Sequence, residues 1–283
     1  MTDTVDQTQA ETTKAGISEA VAKVCPNCGG PMRVIKAGIV GTLTFCPPCS
    51  DKAEAERVAQ SEIDTAAMNE RRIALQWRKA RGVFSEEHRA YTFETWVPVT
   101  ASQRSSLATV DEWAHRVAEW RDREANPKPW VILHGAPGTG KTTLAACAYH
   151  RLVDLAVPVR AVKAGELVSE ILRRTKKRTD AYDAGSVMTL PEAVADSLSG
   201  YRAIIIDDLC ATETGQRERD AWGVFFDAAY LAGVPLLVTT NKNPDDLFLL
   251  LDNGPEGRVR SRAKQMTGGG GTPCTGHDYR GGV

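Results

Sequence analysis

The sequence predicts an α/β protein: a parallel sheet covered by helices on both faces, with a small cysteine module and a long helix ahead of it. Three observations predict this. From Trp130 onward, short apolar runs alternate with helical patterns. A glycine-rich loop at 135–142 lies between the first of those runs and a helix start. Two Cys-x-x-Cys steps stand close together near the N-terminus.

Bulk properties set the limits. The 283 residues have room for one such domain plus a small appendage. Lys and Arg total 35 against 36 Asp and Glu, a net charge of -1, so the whole-chain field does not recruit nucleic acid. Any such contact must come from a local basic patch. No apolar stretch approaches the roughly 18 residues that span a bilayer. The first twenty residues lack an apolar signal core, so no membrane association and a cytoplasmic location are expected. Residues 1–20 carry almost no large apolar side chain and read as a disordered tail.

The cysteine module follows at 21–50. Cys25, Cys28, Cys46 and Cys49 form C-x2-C-x17-C-x2-C, the spacing of a tetrathiolate zinc site. Each step puts two sulfurs on one side of a tight knuckle, and Gly29 suits the left-handed angle such knuckles favour. Residues 32–35 and 39–45 read as a hairpin between the knuckles, which makes the module a zinc ribbon. Four thiolates leave no open position, and so short a module buries too little apolar surface to fold unaided. The Zn²⁺ is therefore expected to be structural. The segment 51–100 is a linker and connector: a long helix over 51–81 ending at Gly82, then Phe84, Tyr91, Phe93 and Trp96 as apolar punctuation.

Leu107, Val110, Trp113, Val117 and Trp120 recur at helical spacing, predicting a helix over 105–124 with Ser106 as its cap. The candidate strands are 130–134, 157–162, 203–207 and 235–239. The helices between and after them are 141–155, 166–174, 191–199 and 217–231. The glycine run 268–271 reads as a flexible joint.

The loop Gly135-Ala136-Pro137-Gly138-Thr139-Gly140-Lys141-Thr142 fits G-x-x-x-x-G-K-[ST], and Thr143 opens the following helix. Its glycines let several N–H groups turn inward as an anion nest, and the helix N-terminus adds its positive end. Lys141 would neutralise β- and γ-phosphate oxygens of ATP, while the Thr142 hydroxyl would ligate Mg²⁺. The run 203–206 carries Asp207 and Asp208 to the carboxyl end of a buried strand. Asp207 would hold Mg²⁺ through water, and Asp208 would orient or deprotonate the attacking water. Asn241, at the tip of 235–239, is placed to sense the γ-phosphate.

Read together with Tyr91-Thr92-Phe93-Glu94, Thr239-Thr240-Asn241, Arg258-Val259-Arg260-Ser261-Arg262 and Gly276-His277-Asp278-Tyr279-Arg280, this ordered set resembles the DnaC/IstB branch of the AAA+ ATPases, which includes replicative-helicase loaders. The resemblance spans about 84–280. It implies an AAA+ domain over 101–283 without a helical lid, Asn241 as sensor and Arg262 as an arginine finger. A finger would place the ATP sites between subunits of a homo-oligomer, with slow, assembly-dependent hydrolysis. It also implies a DnaB-type replicative helicase as partner, docked through the N-terminal region.

Arg173, Arg174, Lys176, Lys177 and Arg178 pack five cations into six positions, a candidate contact for single-stranded DNA or a solvated surface run. The leading expectation is an ATP-dependent helicase loader. The alternatives are an IstB-like transposition helper and a zinc-dependent DNA-binding adaptor with a nucleotide switch.

Overall fold

The computed structural model describes residues 24–37, 41–80, 82–119, 130–175, 188–210, 215–252 and 257–276. The expected tail over 1–20, the end of the helix predicted to 124, Lys176, Lys177, Arg178 and the stretch 277–280 lie outside those residues. The chain divides into two compact units, Met1–Arg71 and Arg72–Val283.

In the first unit, β1 (Arg33–Ala37) and β2 (Gly41–Phe45) pair antiparallel, from Arg33 opposite Phe45 to Ala37 opposite Gly41. The first strand thus starts one residue later than expected and runs to Ala37. Helix α1 runs Pro47–Lys79 and starts inside the second Cys-x-x-Cys step, four residues ahead of the expected start. Proline has no N–H to lose at a first helical position, so Pro47 favours the earlier start. Among the residues of this unit whose exposure is described, Cys25 and Cys46 are the buried ones.

The second unit begins within the last turns of α1, where Trp77 is buried. It continues through α2 (Glu86–Arg89), α3 (Ala101–Glu119), β3 (Trp130–His134), α4 (Lys141–Asp154), β4 (Val159–Lys163), α5 (Ala164–Arg174) and α6 (Leu190–Leu198). Then follow β5 (Ala203–Leu209), α7 (Gln216–Leu231), β6 (Leu236–Thr240), α8 (Pro244–Leu251), α9 (Arg258–Thr267) and β7 (Thr272–Pro273). The strands form one parallel sheet in the order β4-β5-β6-β3-β7. Strand β6 therefore inserts between β3 and β5, and the carboxyl ends of all three meet at one edge, where ligands of open α/β sheets bind.

Alternation along the strands splits the core in two, because successive side chains point to opposite faces. Trp130, Ile132, Ile204, Ile206 and Val238 pack with α5–α9, and Val131, Leu133, Ile205 and Leu237 pack with α3 and α4. The two faces are each covered, as the near-continuous apolar runs require. Each fully buried Ile or Leu contributes about 2 kcal/mol relative to exposure. The connector belongs to this unit: Phe84, Phe93 and Trp96 are buried beside Trp77 and Tyr149.

Three local features depart from the sequence reading. Helix α3 starts at Ala101, and Ser106 lies buried in its interior, donating to the Pro273 carbonyl. Thr100 and Gln103 form its capping box: Thr100 Oγ1 accepts from the Gln103 N–H, and Gln103 Oε1 accepts from the Thr100 N–H, both at 3.1 Å. The 268–271 run leads straight into β7, which pairs with β3, rather than into a free joint. Helix α6 starts where Thr189 and Glu192 cap each other reciprocally.

Candidate functional site

The phosphate loop connects β3 to α4. Gly135, Gly138 and Gly140 have φ of 149°, 78° and 94°, angles that suit glycine. Space adds a second constraint. A Cβ on Gly135 would stand 2.2 Å from the Cys274 carbonyl oxygen, and one on Gly140 would stand 2.8 Å from the Trp96 ring. The loop is therefore clamped by the segment after β7 and by the connector. Lys141 Nζ donates to the carbonyls of Gly135 and Ala136, at 2.8 and 2.6 Å, so the ammonium lies over the cradle.

Sequence reasoning missed the brace beneath this loop. Gln103 Nε2 donates to the Thr139 carbonyl at 3.1 Å, and Cys274 Sγ donates to the same oxygen at 3.2 Å. Gln103 is fully buried. The T-x-x-Q pattern at 100–103 was a readable signal for the cap, but nothing local points to Thr139.

Asp207 sits at the tip of β5 with no exposed surface. Its carboxylate accepts from Thr142 Oγ1 at 3.1 Å and Thr239 Oγ1 at 2.6 Å. Lys163, which the sequence reading passed over, donates to Asp207 at 2.5 Å and to Asp208 at 3.0 Å. Burial works against the Lys163 charge, but its hydrogen bonds to Asp207 and Asp208 outweigh that and raise its pKa above the ordinary lysine value. At the tip the strand bulges: register shifts between Ile206 and Leu209, and Asp208 takes φ of 59°. Its N–H is held by Thr239 Oγ1 at 2.9 Å. The bulge re-aims the side chain, as bulges beside active sites do.

Asp208, Asn241, Lys141, Thr142 and Thr143 line one cleft of about 830 Å³, closed on the other side by the connector. That volume suits a nucleotide-sized ligand. The residues present fit the implied groups. Inward-turned loop N–H groups and a lysine suit a triphosphate, and a hydroxyl paired to a buried carboxylate suits Mg²⁺. Beside the loop, burial and then the Lys141 charge lower the pKa of His134.

Arg262 and the basic run lie elsewhere. Arg262, on α9, ion-pairs with Asp227 and stands 4.9 Å over the Tyr230 ring. Arg173 is exposed, whereas Arg174 pairs with Glu170 and Asp196.

In the first unit, the sulfurs of Cys25, Cys28, Cys46 and Cys49 all lie within 4.8 Å of one another. Cys25 and Cys49 are 3.8 Å apart, and Cys28 and Cys46 are 3.4 Å apart. Four sulfurs at about 2.3 Å from one zinc would be about 3.8 Å apart, so the set fits. The backbone N–H groups of Asn27 and Cys28 pull the Cys25 thiol down to about 7. Cys28 and then burial push Cys49 up to about 12. Four adjacent thiols do not all ionise until a cation offsets the repulsion. Gly29 takes φ of 70°, the angle the knuckle calls for.

Comparison with known proteins agrees with this geometry. Residues 131–248 match the model of the ATPase family associated with various cellular activities, AAA. The matched stretch holds the phosphate loop, Asp207, Asp208 and Asn241, so the likeness to that family covers the site as well as the sheet around it. The crystal structure of the DnaC helicase loader is similar at TM-score 0.51 and 17% identity, over 68% of this chain and 100% of that one. The DnaI crystal structure is similar at TM-score 0.50 and 20% identity, over 70% and 94%. The AMPPCP-bound DnaA of Aquifex aeolicus scores 0.48 at 18% identity over 67% of this chain, which spans about half (52%) of that protein's chain. An adenylate kinase of Methanoculleus marisnigri is 27% identical over 152 residues, 49% of this chain and 72% of that protein. The fold is thus shared with the DnaC helicase loader and DnaI structures.

Proposed function

We propose that this protein is an ATP-dependent loader that delivers a hexameric, DnaB-type replicative helicase onto single-stranded DNA. The observation that carries the reading is extent. Similarity to the DnaC helicase loader covers 100% of that chain and 68% of this one, and a cleft lined by Lys141, Thr142, Asp208 and Asn241 supports a phosphate site. The four-thiolate module stands ahead of it as the helicase-docking element. Among the described residues no helix is long and apolar enough to cross a membrane.

Lys141 and the loop N–H groups bind the triphosphate, and Thr142 with Asp207 holds Mg²⁺, which supplies charge neutralisation at the phosphates when bound. Asp208 takes the proton of the attacking water, and Asn241 orients that water against the γ-phosphate. Arg262 completes the site of a neighbouring protomer, so hydrolysis is slow until the chain assembles. Single-stranded DNA is contacted by Arg173 with Lys176, Lys177 and Arg178, while Arg174 is held by its own carboxylate partners. The test is capture and size analysis of the zinc-loaded protein with a DnaB-type helicase, with and without ATP. A complex whose stability responds to ATP, and is lost in Lys141→Ala, is expected. No complex under either condition sinks the reading.

A further inference from the structure

Lys163 is a cation that the phosphate-loop motif does not call for. Strand register sets it there: as the last residue of β4 it stands directly across from Asp207 of β5. Its ammonium reaches both tip carboxylates, at 2.5 Å to Asp207 and 3.0 Å to Asp208. Asp207 is wholly buried, and its other side-chain partners are the hydroxyls of Thr142 and Thr239. A buried carboxylate needs a counter-charge. Here the ammonium supplies it, at the same carboxylate that would hold the metal.

We infer that Lys163 is a positioning residue of the ATP site, which competes with Mg²⁺ for Asp207 and steadies Asp208 at the strand tip. The argument is electrostatic. A dication entering between Thr142 and Asp207 meets an ammonium already bonded to one of its two holders, and like charges at that range repel strongly in a partly desolvated site. The metal therefore enters at a higher concentration than two carboxylates alone would require. Asp208, at left-handed φ on a bulge, has its carboxylate held by Lys163 and its N–H held by Thr239. With Lys163 neutral, Asp208 loses the side-chain contact that fixes its direction. The inference rests on the ATP site alone and holds whichever partner the ATPase serves.

The experiment compares full-length wild type with Lys163→Gln, which keeps a donor, Lys163→Met, which keeps length, and Lys163→Arg, which keeps charge. Binding of a fluorescent ATP analogue is titrated against Mg²⁺, alongside steady-state hydrolysis and thermal unfolding. The neutral variants should reach half-saturation at about tenfold lower Mg²⁺, with kcat reduced and the KM for ATP little changed. Lys163→Arg should stay near wild type in its Mg²⁺ requirement. A neutral variant that melts lower but keeps the wild-type Mg²⁺ dependence reduces Lys163 to a structural ion pair and overturns the inference. If both neutral variants fail to fold, recovery on adding Mg²⁺ supports it, because the metal then replaces the ammonium, and no recovery overturns it. A wild type that binds no Mg²⁺-ATP at all overturns the ATP site itself, a distinct result.

Discussion

Around Cys25 and around Asp207 the chain gathers side chains able to ligate a cation, on two different supports. At Asp207 the support is a folded core: the carboxylate lies near the end of a strand buried everywhere but at Asp208, and is held by residues from β4, α4 and β6. At Cys25 the support is local: the sulfurs of Cys25, Cys28, Cys46 and Cys49 lie within 4.8 Å of one another, with Cys25 and Cys46 buried. Mg²⁺ would thus accompany the nucleotide in the second unit, and Zn²⁺ would be a structural element in the first.

Zinc removal should separate the two most sharply. Chelation, or Cys28→Ser, is expected to abolish the fold of the module, as metal loss does in zinc fingers that are unfolded without their ion. Nucleotide binding should persist, because the second unit has its own two-faced core. Hydrogen exchange over 24–50, read beside binding of a fluorescent ATP analogue, checks both halves. Protection that survives chelation would break the contrast.

Gly135→Ala attacks the cored region where it has no slack. Its Cβ would meet a backbone oxygen of Cys274 at 2.2 Å, and no rotamer change relieves a clash with main chain. Strain and overpacking together should cost about 3 kcal/mol and empty the ATP site, with zinc content unchanged. Thermal unfolding and metal analysis on one preparation measure it. A variant as stable as wild type would mean that the segment after β7 is not fixed against the loop.

How far each region could be read in advance follows from the same contrast. The four-cysteine set and the phosphate loop are written locally, as short motifs, and both were legible as such. Asp207 and Asn241 were legible because apolar runs lead into them. Lys163 was not, since its role exists only through parallel register between β4 and β5, which no periodicity encodes. Cys274 belongs to no local motif, though across 135 positions of chain it donates to the loop. Ser106 was misread as a cap because serine at a helix start is a common pattern; its hydroxyl is instead used by the Pro273 carbonyl, a partner 167 residues away.

Gln103 offers a smaller test of that hidden brace. Gln103→Leu keeps the volume but leaves the Val99 and Thr100 N–H groups without their acceptor and removes one donor from the Thr139 carbonyl. Leaving buried polar groups unpaired should cost about 2 kcal/mol and weaken ATP binding, both by less than Gly135→Ala. Calorimetric ATP titration and thermal unfolding check the order.

The smallest stability effect carries the sharpest functional distinction. Arg262 pairs with Asp227 in its own chain, a contact about a quarter exposed on each side and worth about 1 kcal/mol. If that pair is its whole purpose, Arg262→Ala and Asp227→Ala should both lower the melting point and leave hydrolysis alone, the first also losing the Tyr230 contact and the second the 3.8 Å pair with Arg258. If Arg262 serves the neighbouring protomer's γ-phosphate, the two variants part company. Asp227→Ala keeps the guanidinium and keeps hydrolysis, whereas Arg262→Ala loses it by a factor of about 10³ at protein concentrations where the wild type assembles. Mixing Arg262→Ala with Lys141→Ala then decides the geometry: each chain supplies what the other lacks, so activity returns only if the site lies between protomers. Two inactive variants that stay inactive when mixed, although they co-assemble, would confine Arg262 to its own helix.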